Sequence, residues 1–114
     1  MPLKAAILAS VLIGAGLAPT QSSAQDFDME FVYGAWTRCI IVYEHKAAES
    51  QQSIDDLIPY LYDQCIPEEH IVIERLTKFY HSESMAWNEH MSIKGAAKLR
   101  SRADIARFRI EMGR

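Results

Sequence analysis

Between positions 28 and 49, apolar residues recur at Val32, Trp36, Cys39 and Tyr43, spaced by four, three and four. That is the period of a helix with one buried face. Asp28 stands where a cap belongs and Glu30 falls in the first turn, so the spacing predicts a helix over 28–49. Gly34 weakens it by about 1 kcal/mol relative to alanine. The run Ile40-Ile41-Val42-Tyr43 would also suit a short strand, but the surrounding Ala, Glu and Lys favour helix. A second apolar set, Ile54, Leu57, Ile58, Leu61 and Cys65, again describes one helix face. Ser53 heads it with Asp56 three residues on, a capping-box-like start. Pro59 conflicts with an unbroken helix because it lacks an N–H. Either the helix is kinked there or, as preferred, it begins nearer Asp55 and holds Pro59 in its first turn.

Pro67 opens a third pattern, with Glu68 and Glu69 suited to the positive end of a helix dipole. Its stripe is Ile73, Leu76, Tyr80, Trp87 and Met91, with Glu74 and Lys78 as a favourable pair four apart. This predicts a helix from Pro67 to about Ser92, stopped at Gly95. From Ala96 a fourth helix is expected, with Leu99, Ala103, Ala106 and Ile110 on one face. The end, Arg107 to Met112, alternates with period two and would equally suit an edge strand. The fold expected is all-α, a three- or four-helix domain.

The first 24 residues form a different pattern. Lys4 precedes an apolar and small stretch of 14 residues, Ala5 to Ala18, then Pro19 and a polar run with Ser22 and Ala24 at small-residue positions. This reads as a cleavable signal peptide, 1–24. The stretch is shorter than the roughly 20 residues that a spanning helix needs. The mature chain is then 25–114, one domain without internal repeats, and its expected location is periplasmic or secreted. Export places Cys39 and Cys65 in an oxidising compartment, so a disulfide between them is expected. It would pin the first two helices into a hairpin and contribute roughly 3.5 kcal/mol on the chain-entropy model.

Charge is divided unevenly. Residues 25–93 carry thirteen acidic against four basic residues, and 94–114 carry seven basic against two acidic. The basic segment either folds back onto the acidic body or meets an anionic partner or a membrane surface, and Arg107 and Arg109 are its candidate contact residues. The helical period cannot bury all of Phe31, Val32, Tyr33 and Trp36, and Tyr33 is the member expected to be exposed as a partner contact. Export and the acidic balance argue against nucleic-acid binding.

Catalytic constellations are absent: there is no G-x-S-x-G, no C-x-x-C and no C-x-x-C-H. The pairs Asp55-Asp56 and Glu68-Glu69 sit at helix starts, where the dipole accounts for them. No enzyme and no cofactor are expected. Soft ligands for copper could come from His81, Met85 and His90, although no strong metal signature is present.

The stretch Cys65-Ile66-Pro67-Glu68, followed by a helix with Leu76 and Lys78-Phe79-Tyr80, resembles the small periplasmic immunity proteins of type VI secretion systems, of the HdeA-like helical class. Trp36-Thr37 near Cys39 resembles the acid-stress chaperones of that class. The resemblance implies a compact helical domain that neutralises a toxin by binding it. The expectation is an exported helical protein that binds another envelope or secreted protein or serves as an envelope component. Toxin neutralisation and copper binding are the alternatives, and a small enzyme, which would need a concave pocket with perturbed titratable groups, is a further one. The binding reading expects a shallow surface and no buried carboxylate or histidine cluster.

Overall fold

The computed structural model describes residues 28–113, which form four helices and, among the described residues, no strand. They are α1 (Met29–Ala48), α2 (Ile54–Asp63), α3 (Ile66–Tyr80) and α4 (Glu83–Glu111). The all-α expectation therefore holds with four helices. The signal segment, its cleavage point and Phe27 lie outside the described residues.

Two of the expected caps form. The Asp28 carboxylate accepts the Phe31 N–H at 3.1 Å, and the Ser53 hydroxyl accepts the Asp56 N–H at 3.2 Å. α2 starts immediately after Ser53, so the preferred start nearer Asp55 is corrected: Pro59 is interior. The Asp55 carbonyl loses its helical donor there. The ring lies on the exposed side, where that carbonyl can meet water, while Leu57, Ile58, Leu61 and Tyr62 are buried on the other.

The larger correction concerns the third and fourth helices. The break falls not at Gly95 but at His81, which takes a left-handed conformation (φ 56°, ψ 33°). Ser82 then caps α4 by accepting the Met85 N–H at 3.1 Å. Gly95 lies inside α4, where its cost of about 1 kcal/mol is spread over a helix of 29 residues rich in strong formers. The Arg107–Met112 end is helical through Glu111, not a strand.

The core joins Val32, Trp36 and Ile40 of α1, Leu57, Ile58 and Leu61 of α2, and Val72 and Leu76 of α3. α4 adds Ala86, Ala97 and Ile105, and it packs against all three other helices. Two of its buried positions are alanine, which lets a long helix lie close against its neighbours. The face that carries Leu99, Ala103, Ala106 and Ile110 is turned away from the core: Leu99 is 67% and Ile110 73% exposed. Met91 is exposed and Trp87 half-buried.

Cys39 and Cys65 form the expected disulfide, with Cα atoms 5.9 Å apart. Cys65 is fully buried in the turn between α2 and α3. The bridge thus ties the middle of α1 to the point where α3 departs. The basic end of the chain folds back. The Arg109 guanidinium donates to the carbonyls of Ser50 and Gln52, each at 2.7 Å, and reaches those of Ala47 and Ala48 at 3.4 Å. It thereby adds a donor to carbonyls at and just beyond the end of α1. Phe108 stacks on His45 with ring centroids 4.0 Å apart.

Candidate functional site

The interior is polar along one line. Tyr33, expected at the surface, is 4% exposed. The exposed aromatic of its group is Phe31, which lies under the Arg75 guanidinium at 3.9 Å. The Tyr33 hydroxyl meets His90 Nδ1 at 3.2 Å, and His90 Nε2 meets the Glu69 carboxylate at 2.6 Å. Lys94 Nζ reaches the same carboxylate oxygen at 2.9 Å. His90 is fully buried and Glu69 5% exposed. Burial holds His90 below the ordinary imidazole value, with Glu69 pulling the other way. The neutral ring then donates from Nε2 to Glu69 and accepts from Tyr33 at Nδ1. Burial alone would raise Glu69, but hydrogen bonds from Lys94 and His90 and the Lys94 charge hold it below the usual carboxylate range.

Trp36 continues the line. Its ring makes edge contacts with Tyr33, His90 and Tyr62 at centroid distances of 5.8, 5.1 and 5.9 Å. Beyond it the Tyr62 hydroxyl lies 2.8 Å from Ser101 Oγ, which donates to Glu44 Oε2 at 2.5 Å. Glu44 is 3% exposed. Burial pushes its carboxyl up to about 7; the Ser101 hydrogen bond opposes this, and the facing Asp104 carboxylate adds to it. Trp36 and Glu44 border a cavity of about 270 Å3, shared with Tyr62, Arg100, Ser101 and Asp104. The binding expectation of no buried carboxylate or histidine cluster is thus overturned: among the described residues there are two, one on each side of Trp36. Local patterning reads Glu69 as a dipole residue and His90 as a surface one, because their partners are distant in sequence. A usable signal was the α4 register Ala86, His90, Ala97, Ser101, Ile105, which marks a close-packed face.

The opposite face of α4 is apolar and open. Ala96, Leu99, Ala103, Ala106 and Ile110 recur with spacings of three and four, which makes them the a and d positions of a heptad. The flanking e and g positions are Arg100, Arg107, Arg102 and Arg109. Leu99 and Ile110 are the most exposed large apolar side chains among the described residues. Arg102 pairs with Asp55 at 2.8 Å, and Arg107 pairs with Asp104 at 3.4 Å and Glu111 at 3.9 Å.

Of the residues singled out from sequence, Tyr33 is built into the interior and Arg109 into the end of α1. Arg107 stays on the surface beside the heptad. The copper candidates are not brought together as open ligands. His81 and Met85 are exposed, whereas both ring nitrogens of His90 are engaged. Among the described residues, the group with metal-ligand proximity is Cys39, Cys65 and Glu68, and its thiols are joined in the disulfide. No described helix is long and apolar enough to cross a membrane. No protein-family model matches the chain, and neither does any curated protein or solved structure.

Proposed function

We propose that this chain is a small exported helical protein that acts by binding a partner protein through the outward face of α4, without catalysis. The single observation that carries the reading is the open heptad from Ala96 to Ile110. It is an apolar strip about 20 Å long at 1.5 Å per residue, and a helix that buries one face normally leaves the other polar. The partner that fits is an amphipathic helix with acidic flanks. Alanine at three of the five positions allows a close helix approach, and the exposed flanking arginines Arg100, Arg102 and Arg107 favour glutamate or aspartate opposite them, whereas Arg109 is held at the end of α1. Those arginines disfavour pairing with the same face of a second copy. A lipid surface is the weaker fit, because the alanines add little of the bulky apolar area that holds an interfacial helix in a bilayer. A toxin would be one such partner, and the identity of the captured protein decides that version. The copper alternative gains no support from this geometry, since His90 is already engaged on both sides.

The test is affinity capture from an envelope extract with the mature chain and with Leu99→Glu/Ile110→Glu, followed by titration of the purified partner. The expected result is one saturable partner, weakened by salt, lost in the double variant and contacting through an acidic helix. Equal capture by both forms overturns the reading. So does binding of the chain to anionic vesicles in preference to any protein.

A further inference from the structure

The partner face leaves the cavity beside Glu44 unused. Two atoms among its lining residues are buried without a hydrogen-bond partner, Trp36 Nε1 and Glu44 Oε1. Both side chains are 3% exposed. An indole N–H can only donate, and an ionised carboxylate can only accept. Glu44 Oε2 is taken by Ser101, which leaves Oε1 unpaired; neither Oε1 nor the indole nitrogen is solvent-exposed, so an incoming donor must displace the bordering side chains to reach them. Asp104 lies close enough to share a proton with Glu44, and its other side is held by Arg107 at 3.4 Å. Two carboxyl groups facing one another inside a protein need a proton or a cation between them. The cavity is also bordered by Thr37, Ile41 and Arg100, all exposed, so it opens to solvent.

The lining narrows the choice of cation. Magnesium and calcium ask for about six or more oxygen ligands, and two carboxylates with one hydroxyl are a poor set. The unmet indole N–H asks in addition for an acceptor, which a bare metal ion cannot offer. The rings of Trp36 and Tyr62 border the same space, and aromatic surfaces favour organic cations. We infer that this cavity binds a small primary ammonium ion bearing an oxygen acceptor, its N–H groups on Glu44 Oε1 and Asp104 and its oxygen on Trp36 Nε1. Amino alcohols and small amino acids share that chemistry. A carboxylate on the ligand would in addition meet Arg100 at the rim, which distinguishes the two sources. Protons compete for the same place. The groups facing Glu44 are Ser101, Asp104 and Arg100 from α4 and Tyr62 from α2, so occupancy should fall on acidification.

Calorimetric titration of the mature chain with ethanolamine and with glycine tests this, with acetate as a probe lacking the ammonium group. Saturable one-to-one binding is expected at about pH 8, at least tenfold weaker at about pH 5.5, and no acetate binding is expected. Glu44→Gln and Asp104→Asn should each weaken it at least tenfold. The amide that Glu44→Gln introduces can still accept from Ser101 and donate to Asp104, so the fold, followed by circular dichroism, is retained. A several-fold loss for glycine alone in Arg100→Ala assigns the amino-acid source, and equal affinities assign the amino alcohol. Absence of saturable binding of either amine at about pH 8 means that water satisfies the cavity and overturns the inference. Binding that survives both carboxyl substitutions overturns it as well.

Discussion

Glu44 and Glu69 are the same residue type, almost equally buried at 3% and 5% exposure, yet their carboxyls are displaced in opposite directions. Burial therefore does not decide their charge; the partners do. Glu69 accepts from the His90 ring and from Lys94, so the ion is satisfied within the protein. Glu44 has one neutral donor, Ser101, and an acid opposite it, Asp104. A buried ion with two donors is a fixed element of structure, whereas one with a single donor and an open oxygen is a group waiting for a proton or a ligand. The two lie on either side of Trp36, and both draw partners from α4. The first site organises the bundle, and the second has the spare valence on which binding depends.

The sharpest way to break the comparison is to remove each carboxylate. Glu69→Ala strands a buried imidazole and a half-buried ammonium group, and breaking a buried pair from one side costs about 3–5 kcal/mol. Urea denaturation at neutral pH should show a loss of that size. A loss under about 1 kcal/mol would mean that water replaces the carboxylate and that the network is not structural.

Glu44 should behave in the opposite sense. Its folded pKa is raised from 4.5 to about 7, so the folded state holds a proton that the unfolded state releases. Stability from this group rises as pH falls from about 7 to 4.5 and is lost as pH rises through that window. The amount is on the order of 3 kcal/mol. Glu44→Gln carries no such charge, so it should be the more stable form at about pH 8, and the gap should close near pH 4.5. His90 works against this in the wild type. Its folded pKa is lowered, so acidification below the unfolded value protonates the unfolded chain first and costs stability. The two slopes overlap, so the wild-type profile should be flatter than that of Glu44→Gln. A difference between the two proteins that does not vary with pH would show that Glu44 is ionised in the folded state.

A smaller effect separates the two tyrosine hydroxyl groups on either side of Trp36. Tyr33→Phe leaves His90 Nδ1 without a partner in a dry site, and an unmet buried acceptor costs about 1–3 kcal/mol. Tyr62→Phe removes a donor to Ser101, whose own bond to Glu44 survives, so its cost should sit nearer 1 kcal/mol. Paired denaturation curves check the order, and the reverse order would move the structural weight to the Glu44 side.

Much of the frame was legible in the sequence because its signals are local. Asp28 and Ser53 act on N–H groups three residues away, and the two cysteines pair as the only two in the chain. The break at His81 was hidden because Tyr80, Ser84 and Trp87 stay in helical register across it, and Ser82 is one of several serines nearby. The two carboxyl sites were hidden for a different reason. Tyr33 and His90 are 57 positions apart, as are Glu44 and Ser101. No local period links them. Hydrophobic patterning also picks out the outward face of α4, since Leu99 and Ile110 outweigh Ala97 and Ser101 on any apolar scale. It assumes one apolar face per helix, and α4 has two faces with different tasks.

The smallest expected effect tests whether α4 couples the two carboxylates. Gly95 follows Lys94, a partner of Glu69, and lies about 1.7 turns before Ser101, the partner of Glu44. It is exposed, with nothing within 4 Å of where a Cβ would sit. Gly95→Ala should therefore stabilise the protein by about 0.5–1 kcal/mol through helix propensity and a less free unfolded chain. If α4 unfolds as one unit, amide exchange should slow equally at His90 and at Ser101. Slowing confined to one side of Gly95 would show that the helix is hinged there, and that the Glu69 network can hold while the Glu44 cavity opens.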